Sequence, residues 1–214
     1  MKRTNLFLKK KSKHLKLTVF FAGLLLVSFS CRVEMDNSIL KNAENQRTIE
    51  SMKAWYAAHQ PETIILRSSD GTEQAQMKPE WSRAFKTQNE NYEVVETDIM
   101  RKGRFALHMD SSCAAKYIET NDPKYMQCYT RMVFRINLDT KDTVGFLMTI
   151  SPNLDWVEKS NFRPFLDMTY LSRNKQFGGM ILFHNLDGSF SNGWRYENGK
   201  VTGKITALYE NPNQ

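Results

Sequence analysis

Apolar residues recur at every second position along residues 131–150, and this pattern constrains the fold more than any other feature of the chain. In TRMVFRINLD, Met132, Phe134 and Ile136 share this spacing, and TVGFLMTIS repeats it after the short turn sequence TKD. Because successive side chains of a strand point to opposite faces, a period of two predicts two half-buried strands. The short turn between them predicts an antiparallel hairpin.

Further strands are predicted on both sides of this hairpin. TIIL, YEVVETDIM and RFALHMD precede it, and FGGMILFHN follows as an apolar central strand. The turn sequences NLDG and ENG then bound SFSNGWRY and separate it from KVTGKITAL. Asn-Gly supplies the positive φ angles of a type I′ turn. The C-terminal region is therefore expected to form an antiparallel meander of about five strands.

Helices are predicted from apolar spacing and capping residues. NAENQRTIESMKAWYAAHQP predicts an amphipathic helix from about Asn42 to His59. KPEWSRAF predicts a helix with Pro79 at its first position, and SSCAAKYIETNDP a short helix capped by Ser111 or Ser112. PNLDWVEKSNFRPF is expected to contain one helical turn. A helix packed on a curled antiparallel sheet defines an α+β domain of cystatin-like or NTF2-like architecture.

One apolar run, KLTVFFAGLLLVSFSC, lies near the N-terminus. The 13 residues from Leu17 to Phe29 would span about 20 Å as a helix, which is too short for a hydrocarbon core of about 30 Å. Seven Lys and Arg residues and no acidic residue precede it. A basic segment followed by a short apolar one predicts a secretory signal over residues 1–30 that is removed on maturation.

The end of this signal, SFSC, resembles the lipobox of bacterial lipoproteins. Ser30 matches the small residue before the cysteine, and Cys31 matches the residue that is diacylated and becomes the new N-terminus. Ser28 and Phe29 depart from the usual aliphatic and small pair. The resemblance implies a lipid anchor at Cys31. The alternative is an ordinary signal peptide that is cleaved elsewhere, with Cys31 as a plain thiol.

Removal of residues 1–30 changes the charge of the chain. The full sequence has 30 Lys and Arg against 23 Asp and Glu, and the segment contains seven of the basic and none of the acidic residues, which leaves 23 of each. A neutral chain without a basic stripe does not favour a nucleic-acid partner. We expect residues 31–41 to form a polar tether, 42–210 a single domain and 211–214 a frayed tail.

Two further resemblances concern the mature chain. GSFSNGWRYENGKVTGKI is similar to MORN and related aromatic-glycine repeats, and implies a hairpin. The WY pair of the first predicted helix, the segment PEW and FGGMILFHNLDGSF resemble an uncharacterised family of lipoproteins from Gram-negative anaerobes. This second resemblance implies an envelope location and a sheet-rich fold, but no activity.

Candidate catalytic residues are few. The mature chain has no H-x-x-x-H, H-x-H or C-x-x-C spacing, no P-loop and no nucleophile elbow, so the sequence predicts no metal site and no cofactor. The sharpest enzymatic hypothesis is a thiol nucleophile at Cys113, with His108 or His184 as the base and Asp110 or Asp187 as the orienting carboxylate.

Other candidate sites come from short patterns. His184, Asp187, Trp194 and Arg195 could line one end of the sheet as a binding rim, or Asn185 and Asp187 could simply form a turn.

Two hypotheses concern covalent modification. Cys113 and Cys128 either form a disulfide in an oxidising compartment or remain free thiols. DTV resembles the O-glycosylation acceptor of the same bacterial group, which implies that Thr143 is an acceptor in an exposed hairpin.

Three functions fit these features. The favoured one is a non-enzymatic binding module, anchored in the outer membrane through Cys31, with a protein or glycan partner and an oligomeric state that the sequence does not define. Arg32 stands where an Asp would favour retention in the inner membrane, so a periplasmic or surface orientation is expected. The alternatives are a thiol-dependent hydrolase or transferase, and a periplasmic inhibitor or immunity-type protein.

Overall fold

A computed structural model describes residues 41–67, 74–102, 107–160 and 168–207. The described chain contains ten strands in two antiparallel sheets and three α-helices, which confirms the α+β class. The predicted signal, Cys31, the tether up to residue 40, the turn SSDGT and the tail lie outside the described residues. The chain divides into two units between Arg47 and Thr48. Residues 41–47 of the first unit are described, and they are helical.

The helices are α1 (41–59), α2 (Ser111–Thr120) and α3 (Leu154–Lys159). The strands are β1 (Ile64–Arg67), β2 (Gln74–Pro79), β3 (Phe85–Gln88), β4 (Tyr92–Thr97), β5 (Ile99–Lys102), β6 (Tyr129–Asn137), β7 (Thr143–Pro152), β8 (Gly179–His184), β9 (Phe190–Glu197) and β10 (Lys200–Thr206). Short 3-10 helices occupy Trp81–Arg83 and Pro123–Met126. Within the described ranges, no helix has the length and apolar composition of a membrane span.

The larger sheet has seven strands in the order β10-β9-β8-β7-β6-β4-β3. Strands β6 to β10 form the predicted meander, and β8 is an interior strand, as its apolar sequence predicted. The β6-β7 hairpin is confirmed, with Met132 opposite Leu147. Asn198 and Gly199, with φ angles of 48° and 72°, form the predicted turn between β9 and β10. A second sheet, β1-β2-β5, was not predicted as a unit.

Both faces of the larger sheet bury apolar side chains. On the first face, Met52 and Tyr56 of α1 and Met77 of β2 share a cluster with Phe134 of β6. The Tyr56 and Phe134 rings are 5.9 Å apart in an edge-to-face arrangement. The predicted apolar stripe of α1 is therefore core. On the second face, the cluster contains the neighbouring β6 residue Val133 and side chains from α3 and residues 168–177.

The predicted helix at KPEWSRAF is wrong. Pro79 is the last residue of β2, where it lies opposite Ile99, and Phe85 begins β3. Only the 3-10 turn Trp81–Arg83 separates these strands, and the Trp81 ring stacks on Phe134 at 5.4 Å. Strand pairing and this core contact outweigh the local helical signal, as tertiary contacts commonly do.

The prediction of a strand at RFALHMD is also wrong for the part of this segment that the structure describes. Residues 107–110 are not in a strand, while 103–106 lie outside the described ranges. Asp110 instead caps α2, since its Oδ1 accepts hydrogen bonds from the backbone nitrogens of Ser112 and Cys113, each at 3.1 Å. The α2 helix is confirmed, but neither Ser111 nor Ser112 is its cap. The residue before a helix must be extended and offer an acceptor, and Asp110 meets both conditions.

Candidate ligand-binding groove

The second face of the seven-stranded sheet is only partly covered. Side chains of α3 and of residues 168–177 pack over part of it, and a groove of about 740 Å³ lies on the remainder. Small-molecule sites commonly have volumes of about 300 to 1,000 Å³. Six aromatic residues line the groove: Tyr92, Phe146, Tyr170, Phe183, Trp194 and Tyr196.

Three of these rings hold one another in place. The ring centroids of Phe146 and Tyr170 are 5.3 Å apart, those of Phe146 and Phe183 are 5.7 Å apart, and those of Tyr170 and Phe183 are 6.1 Å apart. All three pairs meet edge to face, the arrangement that aromatic quadrupoles favour. The groove therefore has a preformed aromatic wall built from β7, β8 and the segment that contains Tyr170.

A buried ion pair fixes the position of Tyr170. The backbone nitrogen of Tyr170 donates to Oε1 of Glu96 at 2.8 Å, and Nη1 of Arg131 donates to the carbonyl oxygen of Met168 at 2.7 Å. The Glu96 and Arg131 side chains are themselves 3.4 Å apart. Burial raises the pKa of Glu96, against the opposing effects of the Tyr170 N–H group and the Arg131 charge. Residues 168–170 are thus bound to the sheet by the side chains of Glu96 and Arg131, which water does not reach.

Arg135 lies between two of the lining rings. Its guanidinium carbon is 4.7 Å from the centroid of the Tyr92 ring, and its Nη1 donates to the hydroxyl oxygen of Tyr170 at 3.0 Å. A second arginine, Arg173, donates from Nη1 to the carbonyl oxygens of Thr169 and Ser172. The described lining of the groove has these two arginines and no aspartate or glutamate.

Polar side chains complete the lining. Asn89, Asn185, Ser191 and Asn192 offer amide and hydroxyl groups.

His184 also lines the groove and is only 5% exposed. Burial, followed by the charge of His108, lowers the pKa of His184. A neutral imidazole is therefore favoured at this end of the groove.

The four residues of the predicted binding rim do not all lie in the groove. His184 and Trp194 line it, but Asp187 and Arg195 do not. Oδ1 of Asp187 accepts hydrogen bonds from the nitrogen and hydroxyl of Ser189 at 2.8 and 2.6 Å, which lowers the pKa of Asp187 and closes the turn. Arg195 is exposed because successive residues of β9 face opposite sides of the sheet.

The groups of the thiol hypothesis do not form a nucleophilic site. Cys113 is 2% exposed and packs with Tyr125 and Val157, and its Sγ donates to the carbonyl oxygen of Pro152 at 3.7 Å. Burial, followed by the negative charge of Asp110, raises the pKa of Cys113 to about 12. This is the opposite of the shift that activates a catalytic thiol.

Asp110 and His108, two further residues of the thiol hypothesis, do not assist a nucleophile at Cys113. The carboxylate of Asp110 caps α2, as described above. Burial lowers the pKa of His108, and His108 Nε2 has no hydrogen-bond partner within the described part of the chain. His108 is close enough to His184 for its charge to lower the pKa of His184. It is not among the residues that pack around Cys113.

Of the two alternatives for Cys113 and Cys128, the structure has the second, since both are free thiols. Cys113 packs beside α3, whereas Cys128 lines a different pocket with Asp98 and Arg101. Thr143 is half-buried as the first residue of β7, opposite Ile136, and not exposed in the turn.

Across the described ranges, no three His, Cys, Asp or Glu side chains lie close enough together to hold a metal ion.

Several groove residues were missed in the sequence. Phe146 was placed correctly on a strand face, but alternation alone does not reveal which part of a face remains uncovered. Tyr170 lies in an irregular segment, and Tyr92 and Arg135 meet only because β4 pairs with β6. The signal that could have drawn attention to Arg135 is that it shares one face of β6 with Arg131 and Val133, opposite the apolar face of Met132 and Phe134.

The fold and the groove define an α+β protein with a preformed groove of aromatic and basic side chains. The chain matches no protein-family model, no curated protein and no solved structure. The chemistry of the groove is therefore the basis on which a function is proposed.

Proposed function

We propose that the protein is a membrane-anchored lipoprotein of the cell envelope that acts as a non-enzymatic glycan-binding module. The observation that supports this proposal is the groove, where aromatic rings alternate with amide, hydroxyl and guanidinium groups. A sugar ring has an apolar C–H face that stacks on an aromatic ring, whose face is electron-rich. Its hydroxyl groups need donors and acceptors at the edges, which Asn and Ser supply.

Other ligand classes fit the groove less well. A lipid chain offers no acceptor to Arg135, which forms one hydrogen bond, to the Tyr170 hydroxyl, and covering the other N–H groups of its guanidinium unpaired is costly. An extended peptide that adds a strand needs a sheet edge, whereas the groove lies on a sheet face between β4 and β9. A glycan satisfies both the rings and the polar groups.

The proposed location is supported by the sequence of residues 1–31. A basic segment, a short apolar segment and Cys31 follow one another in the order of a lipoprotein signal. A binding module held at a membrane by a lipid encounters glycans of the cell envelope or of the surroundings, so the location and the groove point to one class of ligand.

The experiment is a glycan-array screen of the chain without residues 1–31, followed by calorimetry with the glycans that bind. The Trp194 indole is half-buried, and no aromatic ring of the described residues stacks on it, so it is available to a sugar. We expect Trp194→Ala to weaken binding by about tenfold or more, the size of a lost stacking contact.

Arg195→Ala is the matched control, since Arg195 is the next residue of β9 and faces away from the groove. We expect this variant to bind as the unaltered chain does, and both variants to keep the thermal unfolding midpoint within a few degrees. Equal affinity of the Trp194→Ala variant and the unaltered chain, or failure of every glycan to bind, would show that the groove is not a glycan site.

A further inference from the structure

We propose that the glycan recognised by the groove is acidic, and that Arg135 binds the carboxylate of a uronic or sialic acid residue. This inference rests on the proposed function and names the ligand class of the same site. The groove is basic, because Arg135 and Arg173 line it and the described lining residues include no carboxylate.

Two arginines on β6 differ in whether the protein itself supplies a carboxylate to pair with them. Arg131 and Arg135 occupy the same face of this strand, since they are separated by an even number of residues. Arg131 is 2% exposed, faces the carboxylate of Glu96 and also donates to the carbonyl of Met168. Its charge is thus compensated within the protein. Arg135 forms no ion pair with any carboxylate of the described chain, and its position at the groove leaves that charge available to a ligand.

The guanidinium of Arg135 is also held in place. The Tyr92 ring supports one face at 4.7 Å, and the hydroxyl oxygen of Tyr170 accepts one N–H at 3.0 Å. A guanidinium has several donors in a fixed planar arrangement, so this single bond leaves others for a ligand. A planar cation that is held by a ring and a hydroxyl is suited to a bidentate bond with a carboxylate.

The surrounding charges favour an anion. Arg131, Arg135 and Arg173 are positive, and Glu96 is the one carboxylate that interacts with this group among the described residues. Glu96 is fully buried and already accepts hydrogen bonds from Tyr170 and Arg131. The net charge around this end of the groove is therefore positive whether or not Glu96 is ionised.

The test compares glycan pairs that differ only in charge: oligogalacturonic acid with its methyl ester, and sialyllactose with lactose. Calorimetry would be carried out on the chain without residues 1–31, at low and at high salt. We expect the acidic member of at least one pair to bind about tenfold or more tightly than the neutral one, as a charged bidentate bond allows. This preference should decrease as salt rises.

Two variants assign the preference to Arg135. Arg135→Gln should bind the acidic and the neutral member of the pair with similar affinity, and Arg135→Lys should retain part of the preference. If Arg135→Gln does not fold, the salt dependence of the unaltered chain remains a test. Equal binding of both members of each pair would overturn this inference and leave the glycan-binding proposal intact. Failure of the chain to bind any array glycan would overturn both.

Discussion

Glu96 is an ionisable residue on a strand of the core. Its side chain is fully buried on β4 and binds the backbone of Tyr170 and the guanidinium of Arg131. Burial raises the pKa of Glu96. The folded state therefore keeps a proton on Glu96 at pH values where the unfolded chain has released it. It follows that the contribution of Glu96 to stability is largest below the ordinary glutamate pKa and is lost as the pH rises through the folded pKa.

The variant Glu96→Gln isolates this effect. Because glutamine cannot ionise, we expect the variant to resemble the unaltered chain at about pH 4 and to become relatively more stable toward about pH 8. Within the titration window, the difference in unfolding free energy should change by at most about 1.4 kcal/mol per pH unit. Urea unfolding across this range measures it. Glu119→Gln on the exposed side of α2 is the control, and parallel curves for Glu96→Gln and the unaltered chain would contradict the expectation.

Asp110 stabilises α2 through two backbone nitrogens that have no partner inside the helix. We expect Asp110→Ala to lower the unfolding free energy by about 1 kcal/mol, the usual cost of removing such a cap. Ser111 is the exposed first residue of the helix, so Ser111→Ala should change it by less than about 0.5 kcal/mol. Denaturant unfolding of both variants distinguishes the two residues. A larger loss for Ser111→Ala would mean that the serine, and not Asp110, caps α2.

At the level of elements, the start of β8 passes very close to the end of β7. Gly179 has a φ of 143°, and a Cβ atom there would lie 2.7 Å from the Cα of Pro152 and 2.9 Å from the nitrogen of Asn153. Both contacts are with backbone, which cannot move aside without disturbing the pairing of β7 and β8. Glycine is therefore required at this position for two reasons, its backbone angle and the space available.

Gly179→Ala should consequently destabilise the protein by more than about 2 kcal/mol. Gly203 on β10 is the matched control, because a Cβ atom there would meet nothing closer than Cβ of Arg195 at 3.8 Å. Gly203→Ala should change the unfolding free energy by less than about 1 kcal/mol. Thermal and urea unfolding of the two variants would measure the difference. Similar losses in both would mean that β7 and β8 tolerate a side chain where the backbones meet.

The elements that sequence reasoning recovered are those in which one periodicity runs over many residues. β6, β7 and the strands that follow alternate or are bounded by turn residues, and α1 repeats apolar residues at helical spacing. The strand β2 was missed because QAQMKP has a weak pattern, although Ala75, Met77 and Pro79 are all buried. The actual state of KPEWSRAF depends on pairing with β4 and β5, which no local pattern specifies.

The groove was less predictable than the sheet that carries it. Trp194 and His184 were identified because they lie beside recognisable turns. Tyr92, Arg135 and Tyr170 come together only through strand pairing and the buried contact between Glu96 and Arg131. Such a site depends on which residues are left uncovered after folding, and that is a property of the tertiary structure.

For the molecule as a whole, the proposed anchor and the groove have separate roles. The groove is built from residues 89–196 of the described chain, far in sequence from the proposed anchor at Cys31. Ligand binding should therefore be independent of lipidation, and the chain without residues 1–31 is a suitable protein for the binding experiments. Lipidation would instead determine where the groove operates.

Metabolic labelling with a fatty acid tests the anchor in the full chain expressed in a Gram-negative host. We expect the unaltered protein to incorporate the label and to fractionate with membranes, because a diacylated N-terminus supplies two chains and so exceeds the marginal binding of a single one. Cys31→Ala should lose both the label and the membrane association. Cys128→Ala is the control, since Cys128 is a free, half-buried thiol of the folded domain and should leave labelling unchanged. An unlabelled native protein in the soluble fraction would refute the lipoprotein assignment while leaving the groove and its chemistry as described, because no lining residue lies near position 31 in the sequence.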